Sequence, residues 1–232
     1  MGKRLIVQAR GKGGPRYKVP SHRFLGKVEY FPYGTFTAKV VDIMNDPGHF
    51  APVMLVKAEG KEILHIAPEG IQAGSEISYG GDKPYLGNVL QLSNVPVGTR
   101  IFGIETWPGS GPKLCRSTGS YATVTNTTGN KVIVIFSSGK EKIMDGKCRA
   151  MMGIPAGGGR LEKPFVKAGQ KLKAMMARGR LYPRSSGVAM TATDHPYGGR
   201  KKHAKFKTVS RHAPPGQKIG SIAARRTGWK RK

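Results

Sequence analysis

The sequence predicts a mainly β protein in which two small β-barrels lie between long basic N- and C-terminal extensions. Two observations support this fold class. Short alternating runs rich in β-branched residues occupy residues 36–145 and are separated by turn residues such as Gly, Pro, Asn and Asp. The excess of Lys and Arg lies outside this central part of the chain. We therefore expect a β region of balanced charge with strongly basic extensions.

Residues 1–28 form the predicted N-terminal extension. They contain eight Lys and Arg residues, no Asp or Glu, and only scattered apolar side chains. Too little apolar surface is available to offset the entropy of ordering such a segment. We expect this extension to take its shape from a partner.

Residues 29–84 are predicted to form the first barrel. Turn residues separate four short runs that have the composition of strands. A closed barrel is favoured because a free strand edge invites aggregation. The four runs are FTAKVVDIM (36–44), PVMLVKAE (52–59), KEILHIA (61–67) and SEISYG (75–80).

Residues 85–160 are predicted to form the second barrel. The segment TGNKVIVIF has the pattern of a hairpin with Gly at the bend. The strand pattern stops after residue 153. The five predicted strands are NVLQL (88–92), TRIFGIET (99–106), YATVTN (121–126), KVIVIFSS (131–138) and KEKIMD (140–145).

Residues 161–232 are predicted to form a basic helix followed by an extended tail. The helix is predicted over residues 161–179, with Leu161, Phe165 and Leu172 on one side. Beyond residue 180 the chain is rich in Pro, Gly, Arg and Lys with single aromatic residues between them. This composition suits a chain that follows the surface of a folded nucleic acid.

The net charge of +27 is distributed unevenly along the chain. It amounts to +8 in residues 1–28, zero in 29–148, +7 in 149–199 and +12 in 200–232. A protein with this much unopposed charge repels itself unless a polyanion supplies the counter-charge. Each phosphate that a Lys or Arg neutralises also releases condensed counterions. Nucleic acid is therefore the favoured partner, and an acidic protein is the alternative.

Membrane and secreted classes are disfavoured. No run approaches the roughly 18–20 apolar residues that span a bilayer, and the basic segments lack an apolar face. The N-terminus has no apolar stretch typical of a secretory signal, so we expect a cytoplasmic protein. Cys115 and Cys148 have no CxxC partners, which predicts two packed, reduced thiols rather than a disulfide framework or a zinc site.

Catalytic motifs are missing from the sequence. It contains no G-x-S-x-G, no H-E-x-x-H and no phosphate loop that ends in G-K-[ST]. Asp194 and His195 are a candidate dyad, but no third residue is apparent as an activated nucleophile. Lysines between His195 and His203 would repel a metal cation. We expect no catalytic residue, no metal site and no small-molecule substrate.

The glycine run in AGGGR (156–160) has two interpretations that the sequence leaves open. Glycines allow backbone to approach a surface closely, and their amides can hold a phosphate. The same run would also serve as a flexible connector after the second barrel. Two rival functions also remain at this point: a polyanion-binding protein of chromatin type, and a hydrolase that uses Asp194 and His195.

Several long motifs resemble the universal large-subunit ribosomal protein two family, in its archaeal and eukaryotic branch. The resemblance covers essentially the whole chain, and the motifs occur in the same order. They are NDPGHFAPV (45–53), APEG (67–70), GNVLQLSNVPVGT (87–99), AGGGRLEKPFVKAG (156–169), SGVAM (186–190), DHPYGG (194–199) and APPGQKIGSIAARRTG (213–228).

This resemblance implies an OB-like RNA-binding barrel followed by an SH3-like barrel. It implies a structural role in the large ribosomal subunit, in assembly, subunit association and support of the peptidyl transferase region. The implied partners are large-subunit rRNA, neighbouring large-subunit proteins and the small subunit through an inter-subunit bridge. No cofactor is implied, apart from Mg²⁺ bound by the rRNA itself.

The predicted site residues form two groups. The first group is expected to contact rRNA, through basic side chains and the three glycines; the second is expected near the peptidyl transferase centre. The first consists of Arg4, Arg10, Lys12, Arg16, Lys18, Arg23, Arg149, Gly157, Gly158, Gly159, Arg160, Lys163, Lys167, Arg178, Arg180, Arg184, Arg200, Lys201, Lys202, Arg211, Arg225 and Arg226, and the second of His195, Pro196, Gly198 and Gly199.

Overall fold

The computed structural model describes residues 9, 12–199, 208–213, 218 and 221–225. The chain divides into two compact units. The first unit, Ser21–Pro164, contains all the strands named below, and we call it the β unit. The second, Met1–Pro20 with Phe165–Lys232, contains helix α1 (Ala168–Met176), and we call it the basic unit. Within the described ranges, no helix has the length and apolar character needed to cross a bilayer.

Ten strands of the β unit form one hydrogen-bonded sheet. In space their order is β3-β2-β1-β4-β5-β10-β6-β7-β8-β9, and all neighbours are antiparallel except β4 and β5. The strands are β1 (Phe36–Met44), β2 (Val53–Ala58), β3 (Lys61–Ile66), β4 (Glu76–Tyr79), β5 (Val89–Gln91), β6 (Arg100–Phe102), β7 (Ala122–Thr128), β8 (Lys131–Phe136), β9 (Glu141–Asp145) and β10 (Arg149–Met152).

The mainly β class is confirmed, but the sheet is not closed into a barrel in the described part of the chain. Strands β3 and β9 are its two ends. The chain before β1 covers the edge of β3: Val28 bridges Leu64, and the Glu29 amide donates to the Leu64 carbonyl at 3.1 Å. Strand β9 carries Glu141 and Lys142, charges that discourage pairing with another chain. The two edges are thus protected without closure.

All nine predicted strands are confirmed, with ends that differ by a few residues, and β10 was missed. Its four residues, Arg149–Met152, are all buried. A strand that is buried on both faces shows no alternation of polar and apolar residues, and RAMM also lacks the β-branched residues that mark the other strands.

Two hydrophobic cores lie in the β unit, and strands β5, β6 and β10 contribute to both. Val89, Phe102 and Met151 pack into the first core with residues of β1 to β4. Their chain neighbours, among them Leu90, Ile101 and Met152, pack into the second core with residues of β7 to β9. These three central strands therefore hold the two cores against each other. The division into residues 29–84 and 85–160 stays a prediction.

The helix of the basic unit is shorter than predicted. It begins at Ala168 rather than at residue 161, and it ends at Met176. Pro164 disfavours helical geometry at Lys163, so a helix that runs from residue 161 through this position is disfavoured. The described ranges also contain short 3-10 turns: Pro15–Tyr17, Ser21–Arg23, Leu92–Asn94, Gly158–Leu161 and Gly187–Ala189.

Candidate nucleic-acid interface

Positive charge is concentrated in the basic unit. Residues 1–20 and 165–232 contain 24 Lys and Arg residues against one acid, Asp194, which gives a net charge of +23. The β unit, although larger, carries 16 basic and 12 acidic residues. The basic unit therefore has the electrostatic character of a surface that binds nucleic acid.

Most of the predicted basic site residues that the structure describes are exposed. Arg178 is half-buried, and its Nη1 donates to the Ala174 carbonyl at 3.1 Å. The predicted residues Arg4, Arg10, Arg200, Lys201, Lys202 and Arg226 lie outside the described residues. The exposed ones are Lys12, Arg16, Lys18, Arg23, Arg160, Lys163, Lys167, Arg180, Arg184, Arg211 and Arg225.

Arg149 differs from the other predicted contacts because its side chain is buried. Its Nη2 donates to Glu105 Oε1 at 2.9 Å, and its Nη1 donates to the Phe31 carbonyl at 2.6 Å. The guanidinium also lies 4.0 Å from the centre of the Tyr33 ring. Only 8% of the side chain is exposed. This geometry assigns Arg149 to the interior and argues against the phosphate contact predicted for it.

Glu105, the partner of Arg149, was not singled out by the sequence. Its buried carboxylate also accepts the backbone amides of Gly109 at 3.3 Å and Gly111 at 3.1 Å. Burial alone would raise the pKa of Glu105, but the hydrogen bonds and charge of Arg149 outweigh burial and leave that pKa below its usual value. The carboxylate thus organises the loop that presents Trp107, whose side chain is 64% exposed.

The glycine run after β10 is exposed, and the fold itself needs glycine at only one of its three positions. Gly157 has a φ of +79°, in the left-handed region. A Cβ on Gly158 would have its nearest neighbour at 3.4 Å, and a Cβ on Gly159 at 3.6 Å, so both have room for a side chain. The packing of the protein therefore does not require glycine at these two positions, and the phosphate contact predicted for them stays a prediction.

Arg160 follows the glycines, and its planar group is held in place while it stays exposed. Its guanidinium lies 4.2 Å from the centre of the Phe50 ring, and its Nε donates to Thr118 Oγ1 at 3.3 Å. A guanidinium fixed in this way keeps N–H groups for a phosphate or a base edge.

The basic unit contains a cleft of about 690 Å³ that combines positive charge with aromatic rings. Lys171 Nζ lies 5.3 Å from the centre of the Tyr182 ring. Tyr17, Arg180 and Arg184 also line the cleft. Positive charge tracks a phosphate backbone and aromatic rings stack on unpaired bases, so this cleft suits single-stranded nucleic acid. Lys171 was not among the predicted contacts.

The Asp194–His195 segment has the geometry of a structured turn. His195 Nδ1 accepts the Tyr197 amide at 3.0 Å, and Asp194 Oδ2 accepts the Thr191 hydroxyl at 3.0 Å. Burial lowers the pKa of His195. Pro196 is exposed, Gly198 is buried and Gly199 is half-buried.

Other titratable groups of the β unit serve packing. His65 is buried, and its Nε2 shares a 2.5 Å hydrogen bond with the Tyr79 hydroxyl. Burial lowers the pKa of His65 to about 3. Cys115 and Cys148 are free thiols, as predicted, and burial raises the pKa of each to about 11. In the ranges that the structure covers, no three His, Cys, Asp or Glu side chains converge on a metal-sized site.

Comparisons with known proteins agree with the sequence motifs. Residues 85–218 match the family model described as Ribosomal Proteins L2, C-terminal domain. The large ribosomal subunit protein uL2 of Methanothermobacter thermautotrophicus is 50% identical over an alignment of 243 positions that covers both chains fully. The uL2 protein of Archaeoglobus fulgidus is 48% identical over 238 residues, again with full coverage of both chains. This chain therefore belongs to the ribosomal protein L2 family.

Proposed function

We propose that this chain is a structural constituent of the large ribosomal subunit and acts there by binding large-subunit rRNA. The observation that carries this proposal is the pairing of family membership with a basic unit of net charge +23. Its exposed Lys and Arg side chains supply phosphate contacts, and Arg160 with its glycine run supplies a second contact surface on the β unit. Neighbouring ribosomal proteins are its further partners, in the cytoplasmic ribosome.

The finer part of the proposal concerns architecture and location. The two cores of the β unit support an OB-like module followed by an SH3-like module, each completed by the shared strands β5, β6 and β10. The DHPYGG segment supports a position of His195, Pro196, Gly198 and Gly199 beside the peptidyl transferase region, and with it roles in assembly and in a bridge to the small subunit. Any Mg²⁺ at the interface belongs to the rRNA, and the protein needs no cofactor of its own.

The protein is structural rather than an enzyme. In the Asp194–His195 turn, the histidine Nδ1 faces a backbone amide. The Asp194 carboxylate accepts a threonine hydroxyl. A base that activates a nucleophile needs that nucleophile within hydrogen-bond reach of the ring, whereas the Nδ1 atom of His195 already accepts a backbone amide.

A competition experiment separates this function from that of a general polyanion binder. Labelled large-subunit rRNA is bound to the protein at physiological salt, and unlabelled rRNA or duplex DNA is added as competitor. A ribosomal protein should release the label to rRNA at far lower concentration than to duplex DNA, because its contacts match one folded RNA. Equal competition by the two nucleic acids would favour the chromatin-type alternative.

A further inference from the structure

A small polar cleft opens on the β unit beside the ring of Tyr33. It has a volume of about 210 Å³, and its lining includes Tyr33, Thr35, Gly80, Gly81, Gln91 and Asn94. Arg149 lines the cleft as well, and it is the one lining residue that was predicted as an rRNA contact. The cleft lies outside the basic extensions that supply most of the charge. Its volume accepts one planar group of the size of a nucleobase.

The Tyr33 ring is fixed in place, and one of its faces is already occupied. The Arg149 guanidinium lies 4.0 Å from the ring centre. The Tyr33 hydroxyl lies 3.2 Å from both Glu105 Oε2 and the Lys147 carbonyl, and it donates to these acceptors. The residue is nevertheless 49% exposed. A rigid, half-exposed aromatic ring is a stacking platform that loses little conformational entropy when a base binds.

Two side chains of the cleft, Gln91 and Thr35, carry hydrogen-bonding groups that are free in the described part of the chain. Asn94 is already satisfied, because it donates to Asp82 Oδ1 at 2.8 Å and accepts from the Ser93 hydroxyl at 2.8 Å. The Gln91 amide and the Thr35 hydroxyl make no hydrogen bond with any residue that the structure describes. Gly81 has no atom within 4 Å of the position that a Cβ would take, so no side chain closes the opening. Free donors and acceptors beside a fixed ring can bind the edge of a base while the ring binds its face.

We propose that the Tyr33 cleft binds a single unpaired nucleobase of the rRNA, with the base stacked on Tyr33 and its edge bonded to Gln91. The inference rests on the proposed function, because it names a subsite of the same rRNA-binding protein. A nucleobase is favoured over a protein side chain because it needs both a flat face to stack on and polar groups at its edge, and the cleft offers a ring backed by a cation beside the Gln91 and Thr35 groups. An apolar anchor from a protein would leave the Gln91 and Thr35 groups without partners.

Binding of the full chain to purified large-subunit rRNA, measured over a series of salt concentrations, tests this subsite. Tyr33→Ala and Gln91→Leu should each weaken binding roughly 5- to 150-fold, the range found when a stacking or base-edge contact is lost. The slope of log K against log salt should stay unchanged, because neither residue contacts a phosphate. Tyr33→Phe, which keeps the ring, should retain most of the affinity, and Gln72→Leu at an exposed glutamine outside the cleft should match the parent chain.

Ultraviolet crosslinking of the parent complex supplies the second readout. A nucleotide adduct on Tyr33 supports the proposal. The proposal would be overturned by unchanged affinity of both cleft variants or by a lowered salt slope. It would also be overturned if, in whole subunits, Tyr33 crosslinked to another ribosomal protein. Because Gln91 takes no part in the Arg149–Glu105 contacts, its variant keeps the test valid if Tyr33→Ala disturbs folding. Failure of the parent chain to prefer rRNA over duplex DNA would instead refute the proposed function itself.

Discussion

The buried pair of Glu105 and Arg149 should control the stability of the β unit. The substitution Glu105→Gln keeps the size of the side chain and removes its charge. Glu105 Oε1 accepts the Arg149 Nη2 and the Gly111 amide, while Oε2 accepts the Arg149 and Gly109 amides and lies near the Tyr33 hydroxyl. Whichever way the new amide is turned, its NH₂ group faces at least two donors.

The expected cost follows from these contacts. Each buried donor that is left without an acceptor costs about 1–3 kcal/mol, and a buried guanidinium that loses its counter-charge costs about 3–5 kcal/mol overall. We expect Glu105→Gln to lower the free energy of unfolding by about 3–5 kcal/mol, a large part of the roughly 5–15 kcal/mol typical of a domain.

Urea unfolding followed by circular dichroism measures this change without adding salt that would screen charges. Glu76→Gln is the matched control, since Glu76 is exposed on β4, and it should change the free energy by less than about 0.5 kcal/mol. Because the pKa of Glu105 is lowered in the folded state, its contribution is complete above the usual pKa and is lost as pH falls through the lowered one. A loss below about 1 kcal/mol for Glu105→Gln would refute the role given to the pair.

Three further predictions address the interface and the core. Arg160→Ala should reduce the slope of log K against log salt for rRNA binding by about one unit, and an unchanged slope in filter-binding titrations would count against its phosphate contact. Gly157→Ala should cost about 1–2 kcal/mol in urea unfolding because of its positive φ, whereas Gly158→Ala should leave stability unchanged and weaken rRNA binding. The pKa of His65 is about 3 in the folded state against 6.5 ordinarily, so the unfolded chain alone binds this proton between those values. Stability should therefore decline as pH falls from 6.5 toward 3, and His65→Gln should show a shallower decline; identical pH profiles would contradict the buried neutral state.

The strands that the sequence predicts carry one of two signals. Strands β1 and β7 bury one face more than the other, so polar and apolar residues alternate along much of their length. Strand β8 is apolar apart from Lys131 and was predicted from its β-branched residues and the Gly at the hairpin bend before it. Strand β10 is buried on both faces and lacks this alternation. The open sheet was also unforeseen, since the residues that cover the edge of β3 come from a segment, near Val28, with no strand pattern of its own.

The candidate site shows the same limit. Arg149 and Arg160 are identical in type and lie close together in the sequence, yet one is buried and the other exposed. The difference arises from contacts between distant parts of the chain: Arg149 meets Glu105 across 44 positions and Phe31 across 118. Charge patterning predicts which segments are basic, but it does not show which guanidinium a distant carboxylate will bind. Glu105 could have been suspected from its place between an apolar run and a turn containing two glycines.

The central claim is that this chain is a structural component of the large ribosomal subunit. Sedimentation of native lysate through a density gradient tests it most directly, with the protein followed by an antibody. We predict that it migrates with the large subunit at physiological salt and leaves that fraction at high salt, because phosphate contacts weaken steeply as salt rises. Migration as free protein at physiological salt, or with DNA in place of the large subunit, would contradict the account.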